Sequence, residues 1–432
     1  MKAGAEVHLF ERDTTLGGKI GEVSVDGRPL PSGPDAFLAR RPEMIDLARS
    51  LDLEDDLITP AAASARIYRD GSLHLLPPNV LGIPATRDLE DCTLLSPKGA
   101  EIALADLDAP DDRPDGDESV GALVRRRLGD EVHEYLVDPL LGGINAGDSD
   151  RLSMRDGIAQ IGTLRGKHPS LLTAAIQTLA EAPANPGPVF YGIAGGLNRL
   201  VDRAAKELHT GGAAIHLGEP ATLEKRTDGW VVNTGNSVEV DQVIVTTPAF
   251  AAAPLIAPFA PKAAAVLNEI DYSSVALAVL ILPPATIDLD PGVSGVLVPR
   301  LCGLHVTAVS FASNKWPALA PDGSQILRVS VGRRTDTRWT KLSNADLLSI
   351  IHDDLRVILS CELPKPNGVV TRWERAMPQY DVGHRDTIAR LDQSLIDLPF
   401  LTLTGAWRNG LGLPACVGSG ASAAGQIQAS TS

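Results

Sequence analysis

Glu11 closes a short run, Glu6-Val7-His8-Leu9-Phe10-Glu11, that reads as a β-strand ending in a carboxylate. Arg12-Asp13-Thr14-Thr15-Leu16-Gly17-Gly18-Lys19 follows it, with paired glycines and a cation. In dinucleotide-binding folds an acidic residue at the end of the second strand accepts hydrogen bonds from an adenosine ribose. It stands about 20 residues beyond a G-x-G-x-x-G loop that cradles the pyrophosphate. Counting back about 20 residues from Glu11 passes Met1. The expectation is therefore that the chain begins inside the motif, either because its true start lies upstream or because it is truncated. Gly17 and Gly18 allow close backbone approach to a ligand, and Lys19 could serve a phosphate or a carboxylate. Taken alone, the same residues also read as a surface turn with a solvated lysine.

Two further segments carry chemistry. Gly33-Pro34-Asp35-Ala36-Phe37 is a turn feeding small residues, able to set backbone N–H groups against a planar ring, although taken alone a plain structural turn is the better reading. Gly405-Ala406-Trp407-Arg408-Asn409-Gly410-Leu411-Gly412-Leu413-Pro414-Ala415-Cys416 precedes a closing helix. Glycines ahead of a helix leave its free N–H groups aimed at an anion or an electron-rich ring edge. Cys416, near that helix start, is either a thiol of depressed pKa or a small buried residue, and the second is the simpler reading. His133 and His168 have no partner at metal spacing, and His384 is placed to orient its own loop through a hydrogen bond. No Ser-His-Asp context, metal cluster or phosphate loop stands out, and no general base is named.

The elements that must position these residues are those of a large α/β protein. The 432 residues suffice for two or three domains. A net charge of -15 from 39 basic and 54 acidic residues argues against a nucleic-acid partner. Cys92, Cys302, Cys361 and Cys416 are widely spaced, which fits a reducing cytoplasm and gives neither a disulfide framework nor a zinc site. The longest apolar run, Val275 to Leu282, is far short of the ~20 residues of a membrane helix and reads as a buried strand. A helix is expected from Pro42 to Leu51, a hairpin turning at Asp70-Gly71 and a long helix over Asn344–Leu359. Residues 109–118, acidic and turn-forming, are expected to be a mobile loop. The domain reading is discontinuous: residues 1–60, 185–260 and 396–432 form a cofactor domain, 61–108 and 261–395 a substrate domain, and 109–184 a helical subdomain.

Several ordered strings carry a resemblance that runs almost end to end. They are Phe10-Glu11…Gly17-Gly18-Lys19-Ile20, Gly33-Pro34-Asp35-Ala36-Phe37-Leu38, Asp138-Pro139-Leu140-Leu141-Gly142-Gly143-Ile144-Asn145-Ala146-Gly147-Asp148, Leu152-Ser153-Met154, Gly195-Gly196-Leu197, Asn314-Lys315-Trp316-Pro317, Arg372-Trp373 and Met377-Pro378-Gln379-Tyr380-Asp381-Val382-Gly383-His384. Together they resemble the oxygen-dependent protoporphyrinogen/coproporphyrinogen oxidases, which contain FAD and share the fold of flavin amine oxidases. The resemblance implies an α/β (α+β) architecture, with a discontinuous Rossmann-like FAD-binding domain, a mixed-sheet substrate domain and a helical subdomain. It implies that Glu11 and Arg12 meet the adenosine ribose, that Gly18 and Lys19 lie beside the cofactor, and that Gly33, Pro34, Asp35 and Ala36 line the isoalloxazine. Ala221 stands where the family contacts adenine through the backbone, and Trp373, Leu411, Gly412 and Leu413 complete the flavin site. The departure from the family is the absent G-x-G-x-x-G loop, which removes most of the pyrophosphate grip.

The implied chemistry is removal of six electrons from a porphyrinogen in three two-electron steps, with dioxygen as acceptor. Coproporphyrinogen III, giving coproporphyrin III in haem biosynthesis, is the favoured substrate and protoporphyrinogen IX the runner-up. A flavin-less porphyrin-binding remnant is the reading from another class, and another flavin oxidase, such as an amine oxidase or carotenoid desaturase, is a third. Basic residues are expected at the cavity mouth to meet propionates. The resemblance further implies a cytoplasmic protein with peripheral contact to the inner membrane face and a ferrochelatase as partner.

Overall fold

The computed structural model describes residues 4–112, 116–183 and 187–431. A seven-stranded mixed sheet dominates it, in the order Asn367–Pro378, Tyr272–Leu282, Gln325–Val331, Val306–Phe311, Val293–Leu297, Ser64–Arg69 and Ser72–Leu75. All neighbours are antiparallel except Val293–Leu297 with Ser64–Arg69. The apolar run ending at Leu282 lies second from one edge, where it is covered on both sides and its near-continuous Val/Leu/Ile composition is what such burial demands. The edge hairpin turns at Asp70 (φ 50°) and Gly71 (φ 80°), the mirror-image turn whose twist matches paired strands.

One helix, Asn344–Leu359, begins where Ser343 accepts the Asp346 N–H at 3.1 Å. Its Leu347, Ile351, Leu355 and Ile358 recur at helical spacing and bury with Phe311, Leu327 and Val329 of the sheet. The other large core is helical and gathers Leu123, Val124, Leu136, Leu141, Ile161 and Leu171. Within it His133–Val137 winds as a π-helix before Asp138–Asn145 resumes the α-helix, a local widening that the sequence pattern did not announce. Asp138 is buried and accepts from Arg300 at 2.6 and 2.9 Å and from Ser149 at 2.6 Å, which pins the start of that helix toward the large sheet.

Residues 109–118 are the acidic segment expected to be a mobile loop. Residues 113–115 lie outside the described residues, but the flanks are stitched down. Asp112 meets Arg126 at 2.6 Å and Arg165 at 2.6 Å, and Asp117 accepts the Ser153 hydroxyl at 2.6 Å. Burial works against the charge of Asp112, and the Arg126 hydrogen bond and the neighbouring arginines outweigh it, so its pKa is lowered. Counting acidic residues could not reveal cations contributed from elements 14 to 53 residues away.

Parallel strand pairs lie outside the large sheet. His8–Glu11 pairs with Ala214–Leu217, and Val243–Val245 with Leu401–Leu403. Phe37–Leu38 and Leu57–Ile58 both pair antiparallel with Phe190–Ile193. The final helix, Leu413–Thr431, lies against Pro42–Ser50, with Gly418 turned toward Glu43. Among the described residues no helix is long and apolar enough to cross a membrane, and no group of three or more His, Cys, Asp or Glu could hold a metal ion.

Candidate cofactor site

The parallel register of Glu11 with Leu217 brings the ends of two strands together, so Glu11 and the segment Gly218–Ala221 leave the sheet at one edge. The carboxyl ends of parallel strands are where such sheets bind ligands. Three backbone-directed bonds fix this edge: the Asp13 N–H donates to Glu11 Oε1 at 2.8 Å, the Gly218 N–H to the Asp13 carbonyl at 2.9 Å and the Glu219 N–H to the Glu11 carbonyl at 3.1 Å. Glu11 Oε2 has no partner among the described residues, which leaves an acceptor for a hydroxyl. Behind the edge, Phe10 stacks on His216 at 4.5 Å between centroids. Arg12 is exposed, its Nε 3.6 Å from Asp13, and Ala221 is half-buried.

A second group converges around Lys19. Gly17 (φ 103°) and Gly18 (φ 54°) turn the chain, and the Ile20 N–H closes that turn on the Gly17 carbonyl at 2.9 Å. The turn lays the Lys19 carbonyl against Gly33 so closely that a Cβ on Gly33 would stand 1.8 Å from it. Only glycine fits there. The Arg328 guanidinium donates to the Gly33 carbonyl, and the Trp373 indole N–H donates to the Ser32 carbonyl at 2.8 Å. The Lys19 side chain remains open to solvent, yet surrounding protein desolvates it enough to lower its pKa, against a weaker upward influence of Cys416.

Asp35 is engaged elsewhere. Its Oδ2 receives Lys315 Nζ at 3.0 Å, Trp316 Nε1 at 3.0 Å and Arg328 Nη1 at 2.9 Å. Burial alone would favour the neutral acid, but Arg328, Lys315 and these hydrogen bonds overcome it and hold the carboxyl well below the usual carboxylate range. Its carboxylate thus ties the turn that carries it to the large sheet. Sequence reading had not singled out Arg328. Its signal was a lone guanidinium inside the apolar strand Gln325–Val331.

The third approach comes from the other end of the chain. Leu411, Gly412 and Leu413 lead into the helix Leu413–Thr431, whose first N–H groups have no carbonyl of their own helix to bond. Cys416 lies close enough to Lys19 for each to influence the other's charge. Burial pushes the Cys416 thiol up, with Lys19 opposing, so it is a protonated small residue rather than a reactive thiolate. Tyr380 locks the approach: its hydroxyl donates to the Ala406 carbonyl at 2.7 Å and accepts the Gly410 N–H at 2.6 Å. The His384 ring packs on Tyr380 at 4.1 Å. Burial lowers the His384 pKa against the nearby Asp156 carboxylate, and its Nε2 has no hydrogen-bond partner among the described residues.

Lys19, Gly33–Ala36, Trp373 and Leu411–Leu413 therefore converge, and Glu11 and Ala221 form a second cluster at a strand edge. One group offers a cation, a glycine turn and a helix N-terminus, and the other a carboxylate oxygen without a partner among the described residues. Among the described residues no strand is followed by G-x-G-x-x-G.

The chain is 32% identical to the coproporphyrinogen III oxidase of Bacillus subtilis (strain 168), across 97% of this chain and 90% of that one. It is 33% identical to the enzyme of the same name from Mycobacterium leprae, across 98% and 92%. A crystal structure described as a putative protoporphyrinogen oxidase from Exiguobacterium sp. 255-15 superposes with a TM-score of 0.88 at 28% identity, covering 99% of this chain and 94% of that one. Putrescine oxidase shares the fold at a TM-score of 0.67 and 16% identity. The α/β class read from the sequence is thus the mixed α/β fold of these oxidases. A profile described as flavin containing amine oxidoreductase matches residues 1–428, and the chain belongs to that family.

Proposed function

We propose that this protein catalyses the FAD-dependent, oxygen-dependent oxidation of coproporphyrinogen III to coproporphyrin III. The observation that carries the reading is the convergence of Lys19, Gly33–Ala36, Trp373 and the Leu413 helix start, in a chain whose relatives above are named coproporphyrinogen III oxidase. FAD held there would supply two-electron oxidation of the macrocycle and return the electrons to dioxygen, three turnovers completing the six-electron change.

The chain's own residues bind and orient. Glu11 Oε2 accepts from the ribose, and the Ala221 backbone meets the adenine. The helix N-terminus and the Lys19 ammonium place positive potential at the ring end, favouring a ring that gains negative charge. Asp35, Arg328 and Trp373 hold the Gly33 turn rigid, so its backbone presents a fixed wall. We further propose that residues 1–60, 185–260 and 396–432 constitute the FAD domain, supported by the pairing of His8–Glu11 with Ala214–Leu217 and of Val243–Val245 with Leu401–Leu403.

The test is the visible spectrum of the purified chain before and after added FAD, followed by aerobic turnover of both porphyrinogens. Bound flavin with faster use of coproporphyrinogen III is the expected result. Equal or better use of protoporphyrinogen IX would shift the substrate to that runner-up, which the Exiguobacterium likeness favours. A chain that takes up no FAD would overturn the reading.

A further inference from the structure

A cleft of about 390 Å³ opens between the helix Ala249–Ile256 and the paired strands Tyr272–Leu282 and Asn367–Pro378. Its lining shares two chain segments with the residues gathered around Lys19 and Tyr380. Trp373, which holds the Ser32 carbonyl, lies two residues before Arg375, and Asp381 directly follows Tyr380.

Arg375 is held there by an unusual backbone. Between the pairs Ser273–Met377 and Val275–Trp373 only Ser274 faces Glu374, Arg375 and Ala376, so the strand bulges. Arg375 takes φ 45°, a conformation that residues with a side chain seldom adopt, and its N–H is secured by Ser274 Oγ at 2.9 Å. Such outliers concentrate at ligand sites. The bulge carries the guanidinium over the Phe250 ring, 3.6 Å from its centroid. Stacking holds the guanidinium plane in place and leaves its N–H donors pointing outward at the edges.

Three arginines, Arg151, Arg334 and Arg375, and three carboxylates, Glu269, Asp271 and Asp381, line the cleft. Asp271 and Asp381 are taken by Arg334, and Asp381 also by Arg151 at 2.9 Å. Glu269 is taken by Arg390 from outside the cleft. Each lining carboxylate thus has an arginine other than Arg375, and the guanidinium of Arg375 meets no carboxylate among the described residues. The Tyr272 hydroxyl, which accepts the Ala249 N–H at 2.9 Å, keeps its own proton to give.

We propose that this cleft is a carboxylate-binding subsite, with Arg375 as its main grip and the Tyr272 hydroxyl and Arg151 as further donors. The subsite rests on the reading above only for the identity of its ligand, a propionate of the porphyrinogen. It gives that reading a physical basis for discrimination, because a macrocycle with four propionates offers a carboxylate in more orientations than one with two. Arg375 acts by binding and takes no part in electron transfer.

The experiment is a fluorescence titration of coproporphyrin III, and separately of its tetramethyl ester, onto the full FAD-treated chain and its Arg375→Gln and Arg375→Lys variants. Citrate, followed by thermal shift, serves as a small carboxylate probe, and circular dichroism verifies the fold of each variant. The expected result is a coproporphyrin affinity ~10- to 100-fold weaker in R375Q, the range for loss of a charged hydrogen-bonding partner. R375K should recover part of it, and the ester should bind all three proteins alike. Porphyrin binding that is the same with and without Arg375 would overturn the subsite and leave the proposed function standing. An Arg375-dependent shift by citrate without porphyrin binding would keep the subsite and remove the porphyrinogen reading. If neither ligand responds to Arg375, the cleft is no carboxylate site.

Discussion

The Tyr380 hydroxyl accepts the Gly410 N–H at 2.6 Å while donating to the Ala406 carbonyl at 2.7 Å, so one side chain closes both sides of the turn that delivers Leu411–Leu413. Burial raises the Tyr380 pKa, which keeps the phenol protonated and able to donate across the working range. Removing that oxygen leaves a backbone donor and a backbone acceptor without a partner.

Tyr380→Phe should therefore cost about 1–3 kcal/mol of stability, the usual penalty for a buried polar group left unpaired. It should also loosen FAD retention, because the helix start loses its anchor. Chemical denaturation gives the first quantity, and flavin absorbance after desalting the second. Unchanged retention would mean that the turn is held by other contacts.

Gly33 and Gly18 make a contrast within one site. Gly33→Ala must displace the Lys19 carbonyl, since the added Cβ falls 1.8 Å from it. It should lose ~3 kcal/mol or more and abolish FAD uptake. Gly18→Ala meets nothing within 4 Å and suffers only its left-handed backbone, φ 54°. About 1–2 kcal/mol is expected there. Thermal melts of the two variants, with FAD titrations, would show the difference.

Asp35 carries a pH signature. Its carboxyl is held below its unfolded value, so the folded state gains stability that is fully present above the unfolded pKa of about 4 and is lost as pH falls below it. Asp35→Asn should cost ~3 kcal/mol near pH 7, where Arg328 and Lys315 lose a buried partner. The gap between the two proteins should shrink as pH falls below about 4. Urea midpoints measured across that range would show the convergence, and parallel curves would remove Asp35 as the source.

Ile351→Ala tests the scaffold rather than the site. Ile351 is 1% exposed in the core between the long helix and the sheet. A loss of about 2–5 kcal/mol is expected, with FAD binding intact in the protein that remains folded. Reduced flavin affinity in the folded fraction would show that the sheet transmits its packing to the cofactor site.

What was legible in the sequence was mostly local. The apolar spacing over Asn344–Leu359 marks the long helix, and Asp70-Gly71 marks the edge hairpin, because these signals lie within a few residues of the structure they specify. Pairings across the chain were not legible. Asp35 meets Lys315 and Trp316 at separations of 280 and 281 residues, and no periodicity links them. The left-handed Arg375 was invisible for another reason: its bulge is set by the register of a neighbouring strand, not by its own residue type. The partners of Asp112 were illegible on the same ground, since the arginines that bind it belong to helices elsewhere.

The alignment of Val243–Val245 beside Leu401–Leu403, with the last helix laid on Pro42–Ser50, has a consequence for the newly made chain. The Lys19 turn and the Leu413 helix start are separated by nearly the whole sequence, so they meet only after the chain as far as Leu413 has been made. Contacts between such distant segments form slowly. The Lys19 turn therefore closes late, and during synthesis the early segments wait with the surfaces that meet Leu413 uncovered.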